Sequence, residues 1–451
     1  MSPDEPDRPA ERRAEGGRQA RPRFNEVERL VASAAEALPD FGDDSFARVF
    51  DRYGDARVVM LGTACPGVSE FARARAQITR RLIERHGFTV VAVEADWADG
   101  RRIDHFTRHR APVRDQGWAF ADFPGWAWRT TEMRSFIDWL RAWNGRTARG
   151  REVRFVGLDI FSLHSSICLT LQLLDRIAPQ AAVAARLEFS ELAPWHFGAY
   201  GLREAAGDEG LHPYENEVVH RLGDALVDRL EAAADEVPEG QAAKLLHSAE
   251  RYYRYLYRGA PASWNLRNRH MFDLLLSCLG CRSPPAKAVV WAHNAQAGNS
   301  AATEMGWSGT FNLGELARRS LGEAAVLVGC GGDHGRIAAA ADWGAAAQAV
   351  PLPPARFDSY EHLFAGAARK QFLLELGERS APPLRDFLSE PRPERLLDVI
   401  YHPGGEREDH YVLADLSQQF DAVLWFDELR PVAPLPVGRL RGIQPDHPFA
   451  M

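Results

Sequence analysis

A chain of 451 residues can bury a large core, and 45% hydrophobic with 26% charged residues is ordinary globular composition. A net charge of −8 argues against the basic surface that non-specific nucleic-acid binding needs. No apolar run approaches the length of a bilayer span, so neither nucleic acid nor membrane is an expected partner.

Residues 1–23 are charged, rich in Pro and Gly, and lack an apolar h-region, which predicts a disordered tail rather than a secretory signal. Five scattered cysteines (Cys65, Cys168, Cys278, Cys281, Cys330) fit a reducing cytoplasm. Cys278 and Cys281 have CxxC spacing but no second pair, and read as two half-buried thiols.

After an amphipathic helix at Phe24–Leu38, the stretch Arg57–Trp97 reads strand, loop, helix, strand. Arg57–Leu61 is a β-branched run, and Gly62–Gly67 is a loop bounded by glycines with Pro66 inside. A helix from Val68 to His86 stops at Gly87, and the apolar run Thr89–Val93 ends in Glu94 and Asp96. This is the pattern of a right-handed βαβ unit in a parallel sheet, whose ligands bind beyond the carboxyl ends of the strands. Within the helix, Phe71, Ala74, Ile78 and Leu82 fall on one stripe, and Arg75 falls on the same stripe. A guanidinium there needs a partner, with Glu94 or Glu70 as candidates, unless it snorkels to the helix edge.

A helix is expected from Asp99 to His109. The segment Gly117–Trp128 then reads GWAFADFPGWAW, aromatic but without a period. Trp126 and Trp128 in it serve either as loop packing or as a hydrophobic wall over an organic ligand. A helix at Thr131–Trp143 leads to a strand, Val153–Leu158, that ends in Asp159, with His164 five residues on. Leu163–Cys281 is helix-like almost throughout, with stretches such as Glu215–Ala234, Gln241–Arg258 and Asn265–Leu279 and no fixed repeat. Strand signals return at Ala288–Ala292 and Ala325–Val328, with weaker ones at Leu397–Tyr401 and Ala422–Phe426. The predicted fold is a three-layer α/β/α sandwich on a mainly parallel sheet, with a helical subdomain inserted. Its expected parts are a tail at 1–23, core at 24–162, helical lobe at 163–283, core again at 284–435, and a tail at 436–451. Three strands thus deliver Glu94, Asp159 and the pair His293–Asn294 to one rim, an arrangement that resembles an active-site floor.

Several blocks in order carry a family resemblance: LGTACPGVSEFARARAQITRRLIERHGFTVVAVEADWADG, FPGWAWRTTEM, VGLDIFSLHSS, WNLRNRHM, VVWAHNAQAGN, TEMGWSGTFNLGEL, DVIYHPGGEREDHY and QFDAVLWFDELRPV. Across roughly residues 50–435 the chain resembles the erythromycin esterase family, also called the erythromycin-esterase/succinoglycan-biosynthesis group. The resemblance implies a cleft between an α/β core and a helical subdomain, and an activity that opens macrolide lactones with water activated by a first-loop histidine. It implies a metal requirement for some members and not for others. Glu94, Arg75, His293 and His410 match family positions. The first loop departs from the family's G-E-x-[ST]-H-G: Thr63 stands for the glutamate and Pro66 for the histidine, and Gln296 replaces a second histidine after the WAHN strand.

Proline cannot take a proton, so the family's general base is lost. Glu94 and His293 alone also fall short of the roughly three protein ligands of a catalytic zinc, so no cofactor is expected, with a metal left open. What remains predicts action on a small, largely apolar natural product, ester- or lactone-type or polyketide-like, by another route. Glu94 and His293 would form the acid/base core, with Arg75 holding Glu94 ionised. Cys65 and His334, the latter beside Asp333 in a Gly-rich turn, are the further chemical candidates. Glu70, Asp96, Trp97, Asp159, His164 and Asn294 would line the site with the aromatics and His410. A binding protein without catalysis, or a cyclase, isomerase or lyase using the same cleft, stays open.

Overall fold

Val58–Leu61 offers four apolar side chains in succession and no polar face for water, so it is stable only with both faces covered. In the computed structural model it is β2, an inner strand of a nine-stranded sheet. The structure describes residues 24–110, 119–120, 124–159, 183, 261–280, 285–342 and 344–436. Six strands run parallel in the order β11 (Ala422–Leu429), β6 (Ala325–Ala339), β2, β5 (Ala288–Trp291), β3 (Val90–Asp96) and β4 (Arg154–Asp159). Antiparallel β8 (Gln371–Glu375) and β1 (Glu36–Ala37) extend the β11 edge, and β7 (Gln348–Leu352) pairs with the far half of β6. A separate two-stranded ribbon joins β9 (Arg392–Arg395) to β10 (Tyr411–Ala414).

Helices cover both faces. α1 (Phe24–Ala34) packs on one face; α2 (Ser69–His86), α3 (Trp97–Thr107) and α4 (Thr131–Asn144) come after β2, β3 and the aromatic segment. α5 (Pro261–Gly280) precedes β5, α6 (Asn294–Ala297) comes after it, and α7 (Leu313–Leu321) and α8 (Tyr360–Ala365) complete the first layer. One core unites α1, α5, α7 and α8 with Met60, Val290 and Trp425 of the sheet. The other unites α2 and α4 with Val59, Val91, Val289 and Val328. Alternate residues of each inner strand therefore feed opposite cores, which gives the α/β/α layering. α2 ends where Gly87 takes a left-handed φ of 73° that a side chain would resist.

Some expectations shift. β3 runs on through Glu94 to Asp96, with a register break between Val93 and Asp96 against β4. β6 continues past Val328 through CGGDHGRIAA, whose glycines hide a strand. Leu397–Tyr401 is not a strand, and only an isolated bridge joins Ile400 to Ala340. Of the stretch 163–283, the described residues are Val183 and α5; the expected helices at Glu215–Ala234 and Gln241–Arg258, and His164, lie outside the described residues. No helix among the described residues is long and apolar enough to cross a membrane.

Candidate active site

The inner strands end level: Leu61 is in register with Trp291 and Val328, and Val93 with Trp291 and Gly157. The residues just beyond these strand ends meet at one rim. Glu94 stands within the register break of β3, the kind of irregularity that re-aims a side chain. Its Oε1 accepts from Arg267 Nη2 at 2.8 Å, and its Oε2 accepts from the His293 backbone N–H at 2.7 Å. The same guanidinium donates through Nε to the fully buried Asp159, at 2.9 and 3.2 Å, and through Nη2 at 2.5 Å. One cation thus joins two carboxylates. Burial raises the Glu94 carboxyl above its ordinary value, and Asp159 adds to the rise while Arg267 opposes it. Arg267 is a rim residue that sequence reasoning misses. It lies on the stripe of α5 that carries buried Met271, Leu275 and Cys278, the signal that marks Arg75 on α2.

Arg75 is 5% exposed. It does not pair with either expected carboxylate: Arg267 takes Glu94, and Glu70 Oε2 accepts from the Arg430 backbone N–H at 2.8 Å. Arg75 Nε has no hydrogen-bond partner, and among the described residues the side chain forms no ion pair. The guanidinium carbon instead lies 5.4 Å from the ring centre of Trp291 and 5.7 Å from that of Trp128. Burial lowers its pKa to about 10, and the charge of Glu94 opposes that fall. It is a buried cation between two indoles, drawn towards Glu94 without touching it.

His293 does not form the expected acid/base pair through its ring. Nε2 faces the carbonyl oxygens of Ala64 at 3.3 Å and Leu397 at 3.2 Å, while Nδ1 accepts from Ala295 N–H at 3.3 Å. Those partners suit Nε2 as donor and Nδ1 as acceptor, with the ring capping α6. Asn294 is equally committed, with Nδ2 and Oδ1 on the carbonyl and N–H of Cys330 at 3.0 and 3.2 Å. Cys65 is buried, and burial pushes its thiol up to about 12, so the nucleophilic thiolate is suppressed. The charges that reach it are Asp398 and Arg395 rather than rim groups.

The remaining candidates scatter. Asp96 caps α3, accepting from Ala98 and Asp99 N–H, and Trp97 packs in the core beneath Arg101. Trp128 faces Arg75 and packs 6.2 Å from Phe120, whereas Trp126 keeps a buried Nε1 without a partner. His334 is 43% exposed at the side chain and bonds Asp333 at 3.1 Å. His410 packs on Tyr401.

The rim does not suit a metal. Both His293 ring nitrogens already have partners, and Arg267 stands beside Glu94 and Asp159 where a cation would. Among the described residues a different trio, Asp333, His334 and Asp427, has donor atoms within 4.8 Å of one another, away from these groups and partly open to solvent.

Comparison with known proteins places the chain. Residues 83–429 match the erythromycin esterase family. The chain is 24% identical over 322 residues to an erythromycin esterase type II from Escherichia coli, covering 67% of this chain and 75% of that one. A succinoglycan biosynthesis protein superposes with a TM-score of 0.74 at 18% identity, over 90% of this chain and 97% of the other. A Bacillus cereus protein gives 0.75 at 16% identity, over 91% and 99%. An erythromycin esterase mutant in its open conformation gives 0.64 at 17%, over 88% and 98%. The likenesses to solved structures concern the fold. With its match spanning most of the described core, the chain belongs to the erythromycin esterase family.

Proposed function

We propose that the protein acts on a small, largely apolar ester or lactone, with Glu94 as proton acceptor and Arg75 as holder of the carbonyl oxygen. The observation that carries this is the guanidinium of Arg75, buried against Trp128 and Trp291, with no ion-pair partner among the described residues and within electrostatic reach of Glu94. A buried cation without a counter-ion suits an oxygen on which negative charge develops. The flanking indoles suit an apolar body. The charges of Arg75, Arg267, Glu94 and Asp159 cancel, which suits a neutral carbonyl group.

The steps balance. Glu94 takes a proton from water as the water oxygen bonds to the carbonyl carbon, and Arg75 holds the oxygen that becomes negative. Collapse of the tetrahedral adduct breaks the carbon–oxygen ester bond, and the departing alkoxide takes the proton back from Glu94. Neither Pro66 nor the ring of His293 takes part.

Incubation with macrolides and simpler lactones, with mass spectrometry of the products, should give a species heavier by one water. Glu94→Gln should lower turnover by ~100-fold or more. Arg75→Leu should lower kcat by a similar factor, since it removes a cation from the developing charge. Full turnover by E94Q would remove Glu94 from the reaction. A second reading, a binding protein without catalysis, is favoured by the withdrawal of His293 and Cys65 from the rim. Retention of a compound without any product would establish it.

A further inference from the structure

On the opposite layer from Arg75, a cavity of about 10 Å³ lies behind the rim, lined in part by Asn294, Cys330, Tyr360, Glu361, Glu394 and Trp425. That is room for one water-sized guest. Glu361, Glu394 and Trp425 are 4%, 3% and 0% exposed. Glu361 Oε2 is a buried acceptor without a donor, and Trp425 Nε1 is a buried donor without an acceptor. Residues lining this one small cavity thus carry unpaired buried polar atoms of both kinds, and these define what fills it. The guest has to accept one hydrogen bond and donate another. An ammonium ion has no lone pair for the indole N–H, and a metal cation would be repelled by it. Water satisfies both.

We infer that this cavity binds a single water molecule, which donates to Glu361 Oε2, accepts from Trp425 Nε1 and joins Glu361 to Glu394 behind Asn294. Glu394 already accepts from Gln419 Nε2 at 2.7 Å and Asn294 Nδ2 at 3.3 Å. Burial, with Glu361 beside it, lifts its carboxyl to about 8, so at neutral pH it carries a proton whose O–H is free to point at the water. Three hydrogen bonds then hold the water, the usual number for a buried one.

The other charges around the pair are few. Arg395 gives its backbone N–H to Glu361 Oε1 at 3.0 Å and its charge to Glu361, while its guanidinium is itself tied to Glu406 at 2.7 Å. Asp415 and Arg392 act on Tyr360 at the cavity wall, and Arg75 acts on Cys330. None of the cations hydrogen-bonds Glu394. Asn294, which holds Cys330 on β6, therefore rests on a carboxyl whose proton the fold retains. Because that proton is held more tightly in the folded chain, its stabilising share falls as pH rises from the ordinary 4.5 towards about 8.

A crystal structure of the full chain at a resolution that shows waters tests the site directly. The expected result is one peak within hydrogen-bond distance of Glu361 Oε2, Trp425 Nε1 and the Glu394 carboxyl. A dry cavity, or an ion with short contacts and no indole bond, overturns the inference. Thermal midpoints across the same pH range test the proton. The parent chain should lose a few degrees that Glu394→Gln, uncharged at every pH, does not lose. An equal slope in E394Q overturns the proton's role. If E394Q does not fold, Trp425→Phe serves instead: it removes one of the three bonds and should weaken or abolish the water peak, and an unchanged peak overturns the assignment.

Discussion

Arg267 shows why the rim needs a guanidinium rather than an ammonium. Its planar fork meets Asp159 through Nε and Nη2 and still reaches Glu94 through Nη2, whereas a lysine offers one point charge. Removing it takes away the cation that joins the two buried carboxylates. Arg267→Met should therefore cost ~3–5 kcal/mol in urea denaturation, the usual penalty for breaking a buried pair from one side. Arg81 makes a comparable contact with Asp51, at 2.5 Å, but both side chains are partly in water. Arg81→Met should cost ~1 kcal/mol or less. Similar costs for the two would show that solvent reaches the rim carboxylates. The same substitution of Arg267 should raise Glu94 further, since that charge is the largest influence opposing burial.

At the scale of elements, the first loop is fitted between strands so closely that its glycines are structural. A Cβ on Gly67 would stand 1.8 Å from the Ala338 carbonyl oxygen, and one on Gly62 would stand 2.3 Å from Asn294 Oδ1. Backbone cannot swing aside, whereas an amide side chain can yield at the expense of its bonds to Cys330. Gly67→Ala should thus destabilise more than Gly62→Ala, each by ~1–3 kcal/mol or above, in equilibrium unfolding. The reverse order would mean that Asn294 is the more rigid neighbour. The strands β2, β3 and β5 are legible in the sequence because burial on both faces writes an unbroken apolar run. β6 is legible only to Val328, since Gly329 to Gly335 carry no hydrophobic period. β7 contains Pro351, β8 is five residues long and β9 has charged ends, so none of them announces itself. At the rim, the position of Glu94 is implied by its place after an apolar run. The engagement of His293 is not, because it depends on carbonyls at Ala64 and Leu397, and Leu397 lies 104 residues away in sequence. The separation of Arg75 from Glu94 is hidden for a related reason: its rival for Glu94 sits on a helix 173 residues beyond that carboxylate.

The molecule as a whole keeps carboxyl groups inside, and this sets opposite pH dependences for stability and for the proposed reaction. Burial raises Glu94, Glu361 and Glu394 above the ordinary 4.5, Glu394 to about 8. Each holds its proton more tightly folded than unfolded, so stability is greatest below that ordinary value and is lost as pH rises through the raised ones. At the acid end, the hydrogen bond from Arg81 lowers Asp51 from 3.8 to about 2, so its share of stability disappears as pH falls across that interval. The thermal midpoint should accordingly peak on the acid side of neutrality and decline towards pH 8. A midpoint that climbs from pH 5 to 8 would show that the three carboxyls are ionised in the fold. Turnover should move the other way, because a base must first lose its proton. The acid limb of the rate profile should lie above 4.5, at the raised value of Glu94. Arg267 opposes that rise and Arg75 is attracted to the same carboxylate, so substituting Arg267 should carry the limb to still higher pH. A limb that stays in place in the Arg267 variant would assign it to another group, whereas a limb that moves ties the catalytic proton to the carboxylate in the break of β3.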